Sequence, residues 1–407
     1  MTSSNTGKAG AALTAAWAQY HDAVERARAA VEATPRFIER PEHRAAAYQQ
    51  LAEAQAMAYS FALAPRMDHP AVNTHSWYSY FYTLGGTSPD FYYGSLLLDG
   101  RKTYRLTGRI GDLKLLLFQV YSRLLGHPQG RMIADEDFSR FQKRTDGSIE
   151  CIISATRHDG NWIPLDASSN LNFIFIRRAV SDWYGDRGEL DISVVDGPVE
   201  HDDCGETFVA ERLVAAAHFL EFLVVKWSVG VYDLYLSKNA GAKNSLAVIP
   251  GRSIAADFVG SPATNYMWGV YDIRPDEALV IESDVPDAGY WSYQIMDVWC
   301  RPFDFRDRQS DINMSRVAVD RDGRFRAVIS LSDPGVFNWM DAYGRGEGTI
   351  TGRAYHSRGE PPQPTATVVK LADLRRHLPA DTRYVSAEER ARQLAYRRTG
   401  YQRLFGD

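Results

Sequence analysis

The sequence predicts a mainly β protein with helical additions: jelly-roll-like β-sandwich halves, an N-terminal helical hairpin and a linking helix. Three observations predict it. Aromatic and β-branched runs of strand length follow one another instead of alternating with helices, which favours a sandwich over a parallel α/β fold. Ala-, Glu- and Arg-rich runs with apolar residues three and four apart fill the first sixty residues or so. A third helical period separates two β-rich stretches. At 407 residues the chain exceeds one compact core, so two halves are expected.

Residues 1 to about 9 are mostly Ser, Thr, Gly and Asn and are expected to lack structure. Helical runs then cover 11–33 and 42–62, punctuated by Pro35, Pro41 and Pro65. This helical segment spans residues 1–69. The first β domain, 70–205, contains "KTYRLTGRIGDLKLLLFQVYSRLL", read as two strands about "RIGD". "GSIECIISATR", "NLNFIFIRRAV" and "GELDISVVDG" follow as further strands, with "HDGNWIPLD" as a link. In the linking helix, 206–240, Phe208, Leu213, Ala216, Phe219, Leu220, Leu223 and Val224 recur at a helical period.

The C-terminal β-sandwich domain, 241–375, opens with "IPGRSIAADFVGSPATNYMWGVYDIRPDE", read as a turn-rich connection. Six strands are expected in "ALVIESDV", "GYWSYQIMDVWC", "SRVAVDRDG", "RFRAVISL", "GTITGRAY" and "ATVVKL". A polar helical tail closes the chain over 376–407. Both halves carry an Asn-Trp dipeptide after paired strands, in "GNWIPLD" and "FNWMD", which hints at a duplication.

Composition excludes several function classes. Charged residues at 24% and a net charge of -5 exert no pull on nucleic acid, and the Arg clusters of the tail are interleaved with acids. No apolar run approaches the length of a membrane span. Cys151, Cys204 and Cys300 are odd in number and far apart, which argues against a disulfide framework and for a reducing, cytoplasmic setting. The ten histidines form no H-x-H or H-E-x-x-H pair, so neither a metal nor a cofactor is expected. Glu200, His201, Asp202 and Asp203 in "VEHDDCGE" read as an acidic surface loop with cation-binding as the alternative. His218 and Glu221 are either a catalytic pair or a core histidine with its neighbour. The tail is a candidate for packing on a neighbouring subunit of a homo-oligomer.

Chemistry concentrates in three stretches. In "GYWSYQIMDVW", alternation puts Trp291, Tyr293, Ile295, Asp297 and Trp299 on one face, with Tyr290 and Gln294 on the other. An acid in an aromatic row is a candidate general acid or base, or else a turn cap or the partner of Arg301 or Arg306. In "DPGVFNWMDAYGRGEG", Asn338 and Asp341 offer an amide and a carboxylate three residues apart, with Trp339 as a cover for a flat ligand. The alternative is a self-packed plug in which Asn338 and Asp341 satisfy local backbone. In "GGTSPDFYYGSLLLDG", Asp90 and Tyr92 lead from a turn into a strand.

Tyr290, Trp291, Gln294 and Trp299, together with Asp333, Pro334, Gly335, Asn338, Trp339, Asp341 and Gly344, resemble the Y-W-x-x-Q strand and D-P-G-x-x-N-W-x-D turn of the bacterial domain-of-unknown-function 1214 family. "TSPDFYYGSLLLDGRKTYRLTGRIG" and "GNWIPLD" are similar to its upstream segments, so the likeness runs over roughly residues 80–375. The resemblance implies a β-sandwich or jelly-roll architecture and no particular activity. Ser88-Pro89-Asp90 stands where the family often reads N-P-D.

Two functions are carried forward. The first is an enzyme acting on an apolar or aromatic small molecule, with Asp297 and Asp341 as acid and base. Tyr290, Trp291, Gln294, Trp299, Asn338, Trp339, Tyr92 and Asp90 then form the ligand-binding surface. The second is a non-catalytic ligand- or carbohydrate-binding or oligomerisation module.

Overall fold

The computed structural model describes residues 3–74, 82–197, 205–254 and 260–406, with side chains from residue 8 onward. Glu200, His201, Asp202, Asp203, Cys204 and His75 lie outside the described residues. The chain divides into two compact units. The first is Met1–Tyr82, Tyr92–Arg178 and Arg187–Val229; the second is Thr83–Phe91, Ala179–Asp186 and Gly230–Asp407.

Helices α1 (Ser3–Glu32), α2 (Pro35–Ile38) and α3 (Arg44–Ala58) form the N-terminal hairpin, so helix begins at Ser3 within the stretch expected to be irregular. Pro35 at the first turn of α2 matches its pre-set φ. Strands β1 (Phe91–Leu98), β2 (Thr103–Arg109), β3 (Leu115–Tyr121), β4 (Met132–Asp137), β5 (Ser148–Ser154), β6 (Trp162–Pro164), β7 (Asn172–Ala179) and β8 (Glu189–Asp196) follow. They order as β1-β7-β3-β4 and β6-β5-β2-β8. The inner faces of both sheets share one core that includes Leu96, Phe118, Tyr104, Ile153 and Ile174. β3, "LLLFQVY", is buried on both faces, which accounts for its unbroken apolar sequence. Helix α4 (Glu206–Glu221) packs on α1 through Ala16, Ala210 and Leu213, and a wider helical segment, Phe222–Val229, leads into α5 (Gly230–Lys238).

The second unit contains β9 (Ser245–Pro250), β10 (Thr264–Asp272), β11 (Glu277–Asp284), β12 (Ala288–Met296), β13 (Asp311–Asn313), β14 (Arg324–Ser330), β15 (Trp339–Asp341), β16 (Glu347–Ser357) and β17 (Thr365–Lys370). Its sheets order as β13-β12-β16-β10-β9 and β15-β14-β11-β17 around a core of Met267, Ile281, Trp291, Tyr293, Phe325 and Ile350. Helices α6 (Leu374–His377) and α7 (Ala387–Phe405) complete it. α7 starts on a reciprocal capping box between Ser386 and Glu389 and ends on Gly406 at φ 78°. Among the described residues none of the four sheets closes into a barrel. In both units the chain passes repeatedly from one sheet to the other, as jelly-roll-like sandwiches do.

The two units repeat one topology. Replacing β1 to β8 by β10 to β17 converts both strand orders of the first unit into those of the second, β9 being an added edge. Each contains one short parallel pair, Ile152↔Trp162 in one and Val328↔Trp339 in the other. The bonds repeat as well. Asn161 donates to the carbonyls of Gln142 and Glu150 and accepts from the Gln142 amide. Asn338 does the same with Ala318 and Arg326. Trp162 Nε1 donates to the Ser154 carbonyl and Trp339 Nε1 to that of Ser330. The duplication hinted at by two dipeptides is thus a property of both sandwiches.

Two strand expectations need correction. "SRVAVDRDG" is not a strand, because the side-chain amide of Asn338 occupies both the amide and the carbonyl of Ala318 and stands in for strand pairing. The "turn-rich connection" holds β9 and the nine-residue β10, in which the missing Cβ of Gly269 lets the Ser245 carbonyl lie 2.2 Å from the position a side chain would take.

Candidate functional site

Asp90 is completely buried in the second unit. Its Oδ2 accepts from Tyr290 Oη at 2.6 Å and Asn313 Nδ2 at 2.8 Å, and its Oδ1 from Trp183 Nε1 at 2.9 Å and Arg316 Nη2 at 2.7 Å. The same Arg316 nitrogen reaches Asp311 Oδ2 at 2.6 Å, and Asp311 Oδ1 pairs with Arg397 of α7. The Trp183 ring carries Arg316 at 4.4 Å and Arg397 at 4.5 Å. Burial opposes the Arg316 charge, but Asp90 and Asp311 outweigh it and raise its pKa. Burial, against the pull of Asp311, lowers that of Arg397. The Tyr290 hydroxyl is pushed well up by burial and then by Asp90. Four donors saturate the roughly four lone-pair sites of the Asp90 carboxylate, leaving no acceptor for a substrate.

The aromatic row ends earlier than alternation implied. β12 stops at Met296, and Asp297 lies in the turn beyond it. Asp297 Oδ1 accepts from the amides of Trp299 at 2.8 Å and Arg301 at 2.9 Å, while its own amide donates to the Arg301 carbonyl. Ser122, at the matching place after β3, does likewise: its Oγ accepts from the Arg131 amide and its amide donates to the Arg131 carbonyl. The carboxylate of Asp297 therefore does a strand-end job that a hydroxyl does in the other copy. Trp291 points into the core and stacks on Phe325 at 5.1 Å, and Trp299 is fully buried. Gln294 donates to the Thr87 carbonyl and accepts from Arg353 at 2.8 Å, as Gln119 accepts from Arg177 in the first unit.

Asp341 is buried at the end of β15, where Oδ2 accepts from Arg308 at 2.7 Å and Oδ1 from the Tyr343 amide at 2.9 Å. The first copy has Pro164 at this position, so this ion pair has no counterpart. Asp297 and Asp341 do act on one common group, Tyr271. Its hydroxyl is buried without a hydrogen-bond partner among the described residues, and its pKa is raised by burial first, then by Asp297, Glu347 and Asp341. Tyr92 belongs to the first unit, where its ring lies 4.1 Å from the Arg178 guanidinium and 4.6 Å from that of Arg187.

None of the nominated residues lines the clefts described in the first unit. One of these, of about 460 Å³, lies between α1 and α4. Ala12, Ala15, Ala16, Ala210, Val214 and Ala215 form its apolar floor, and such short side chains leave open the space that longer ones would fill. Gln19, Arg123, His127, Asn170 and Glu211 contribute polar groups. Arg123 Nη1 donates to the Ser122 carbonyl at 2.8 Å, and the guanidinium forms no ion pair among the described residues. His127 Nδ1 accepts from the Gln129 amide at 3.1 Å, which puts the proton of the neutral ring on Nε2. Its pKa is lowered by burial, then by His218 and Arg123; the two imidazoles meet edge to face at 5.5 Å. Glu221, the sequence partner of His218, is paired with Arg26 at 2.6 Å. Sequence reasoning passed over Arg123 and His127 because it took "SRLL" as the end of a strand and weighed the histidines only as metal ligands; the usable signal was the alanine-rich face of α1.

Among the described residues no group of three or more His, Cys, Asp or Glu side chains could hold a metal ion, and no helix is long and apolar enough to cross a membrane. The chain is similar to an uncharacterised protein from Burkholderia cenocepacia, with 24% identity and a TM-score of 0.79 over 89% of this chain and 99% of that one. That likeness concerns the fold. A second solved structure, the VPA0106 protein from Vibrio parahaemolyticus, is 12% identical with a TM-score of 0.41 over 77% of this chain and 99% of that one. No curated protein matches the chain. Residues 95–180, which include "GNWIPLD" and Trp162, match the family described as "Protein of unknown function (DUF1214)", the family that the sequence motifs resemble.

Proposed function

We propose that this protein binds a small molecule in the cleft between α1 and α4 and does not transform it. The observation that carries this reading is the cleft itself: about 460 Å³ with an apolar floor and a few convergent polar groups, within the usual dimensions of a ligand site. The state of the acids supports it. Asp90 is saturated by four donors, and Asp297 and Asp341 each hold main-chain amides.

The test is thermal melting of wild type and Ala15→Trp against aliphatic acids, aromatic acids and sugars. Ala15 is exposed on α1 and lines the cleft, so the indole fills the site at little cost to folding. A ligand that raises the wild-type melting temperature and fails to raise that of the variant supports the cleft; equal stabilisation of both removes it.

A second reading keeps Asp297 and Asp341 as acid and base, with Tyr290, Trp291, Gln294, Trp299, Asn338 and Trp339 around them. The unpartnered Tyr271 hydroxyl near both acids favours it. Should a turnover screen find a reaction, full activity in Asp297→Asn would defeat that assignment.

A further inference from the structure

The geometry points to a small aliphatic carboxylate as the ligand of the α1/α4 cleft, its acid group held by Arg123 and His127 and its chain lying on the alanine floor. The inference rests on the cleft reading above. Arg123 uses one nitrogen on the adjacent Ser122 carbonyl and forms no ion pair among the described residues, although its charge reaches Asp166, which Arg131 pairs with at 3.3 Å. Guanidinium groups present five donors in a fork that matches carboxylate geometry, so most of its donor capacity remains for an incoming anion. Both residues follow β3 on one short loop. Gly126, at φ +86°, turns that loop so tightly that a side chain there would lie 2.3 Å from the His218 carbonyl. His127 is thereby held against α4, with Nδ1 occupied by the Gln129 amide and Nε2–H left as a donor.

The charge of the cleft's acid acts on Arg101, outside the cleft lining. Glu211 accepts from Asn170 Nδ2 at 3.0 Å. Ala12, Ala15, Ala210, Val214 and Ala215 offer no hydrogen-bonding side chain, so the rest of the ligand is apolar.

Binding is also proton-linked. The groups facing His127 are Arg123 on its own loop and His218 from α4, and behind His218 stand Glu221 and Arg26. Glu211 adds a carboxylate within the cleft. The folded protein keeps His127 neutral at neutral pH, and a bound carboxylate favours its charged form. Affinity therefore increases as pH falls from 7 towards 5.

The test uses sodium octanoate and 1-octanol as probes in calorimetric titrations of the full chain, with wild type, Arg123→Gln, Arg123→Lys and Ala15→Trp. Octanoate is expected to bind wild type at least about tenfold more tightly than octanol, the size of one charge-assisted contact. Arg123→Gln should lose most of the preference for octanoate over octanol, His127 keeping the remainder, and Arg123→Lys should restore part of it. Equal binding of both probes to wild type, with loss of both in Ala15→Trp, overturns the carboxylate assignment and leaves the cleft standing. Failure of both probes to bind wild type overturns the carboxylate assignment too and counts against the cleft. Melting curves of each variant confirm that the protein tested is folded, and a folded Arg123→Gln that binds octanoate as wild type does also refutes the proposal.

Discussion

The repeated Asn-Trp corner makes a quantitative prediction about Asn338. Replacing it with Ala strands three groups at once: the amide and carbonyl of Ala318 and the carbonyl of Arg326, bonded at 2.8, 2.7 and 2.9 Å. The side chain is only 5% exposed, so water cannot replace all three partners. At about 1 kcal/mol or somewhat more for each bond lost in a buried setting, the cost is about 3–4 kcal/mol. For a unit of this size that corresponds to a fall in melting temperature of roughly 6–16 °C. Asn161→Ala removes the same three bonds at the equivalent corner, but that side chain is half-buried and Gln142 is exposed, so water takes over part of the pairing. Its cost is about 1 kcal/mol, roughly 2–4 °C. Differential scanning calorimetry of wild type and both variants gives the comparison. An Asn338→Ala protein melting within a degree of wild type would refute the structural account and return Asn338 to the ligand-contact role that its sequence suggested.

Three further outcomes follow from the same geometry. Asp90→Asn leaves Arg316 with one of its two carboxylate partners in a dry site and should cost about 3–5 kcal/mol in urea unfolding, with an unchanged midpoint refuting the buried network. Burial holds the pKa of both His127 and His218 below the ordinary imidazole value, so the unfolded chain binds more protons as pH drops below about 6.5. Stability from these residues is complete above that value and is lost as pH falls through their folded pKa; melting temperatures between pH 7 and 5 should decline less steeply in the His127→Gln, His218→Gln double variant. Burial pushes the Cys151 thiol up to about 12, and Cys300 is also buried, so in a Cys204→Ala protein no thiol should react with a disulfide reagent at pH 8 until denaturant is added.

Much of the architecture was readable because its determinants are local. β3, β7, β11, β14 and β16 announce themselves by apolar, β-branched or aromatic runs that each fill a buried strand. β10 was hidden by Gly269 and by the turn-forming residues around it, although the glycine is there to admit a neighbouring carbonyl. The short parallel strands β6 and β15 were hidden because three residues carry no period. The candidate site was less legible for a physical reason. Sequence places acids and aromatics in the same stretch but does not reveal how many donors each acid receives. Asp90 receives its donors from Trp183, Tyr290, Asn313 and Arg316, between 93 and 226 residues further along the chain. At the matching place Ser122 makes the strand-end bonds with a hydroxyl, so those bonds need an oxygen and no charge, which the sequence around Asp297 does not reveal.

The order of synthesis sets a constraint on the buried cluster. Asp90 leaves the ribosome 226 residues before Arg316, an interval of roughly ten to forty-five seconds at ordinary elongation rates. During that interval its carboxylate must stay hydrated, so the C-terminal sandwich can be sealed only after Arg316 has emerged. A nascent chain stalled before Arg316 should accordingly expose Asp90 and Trp183 to solvent and to chaperones.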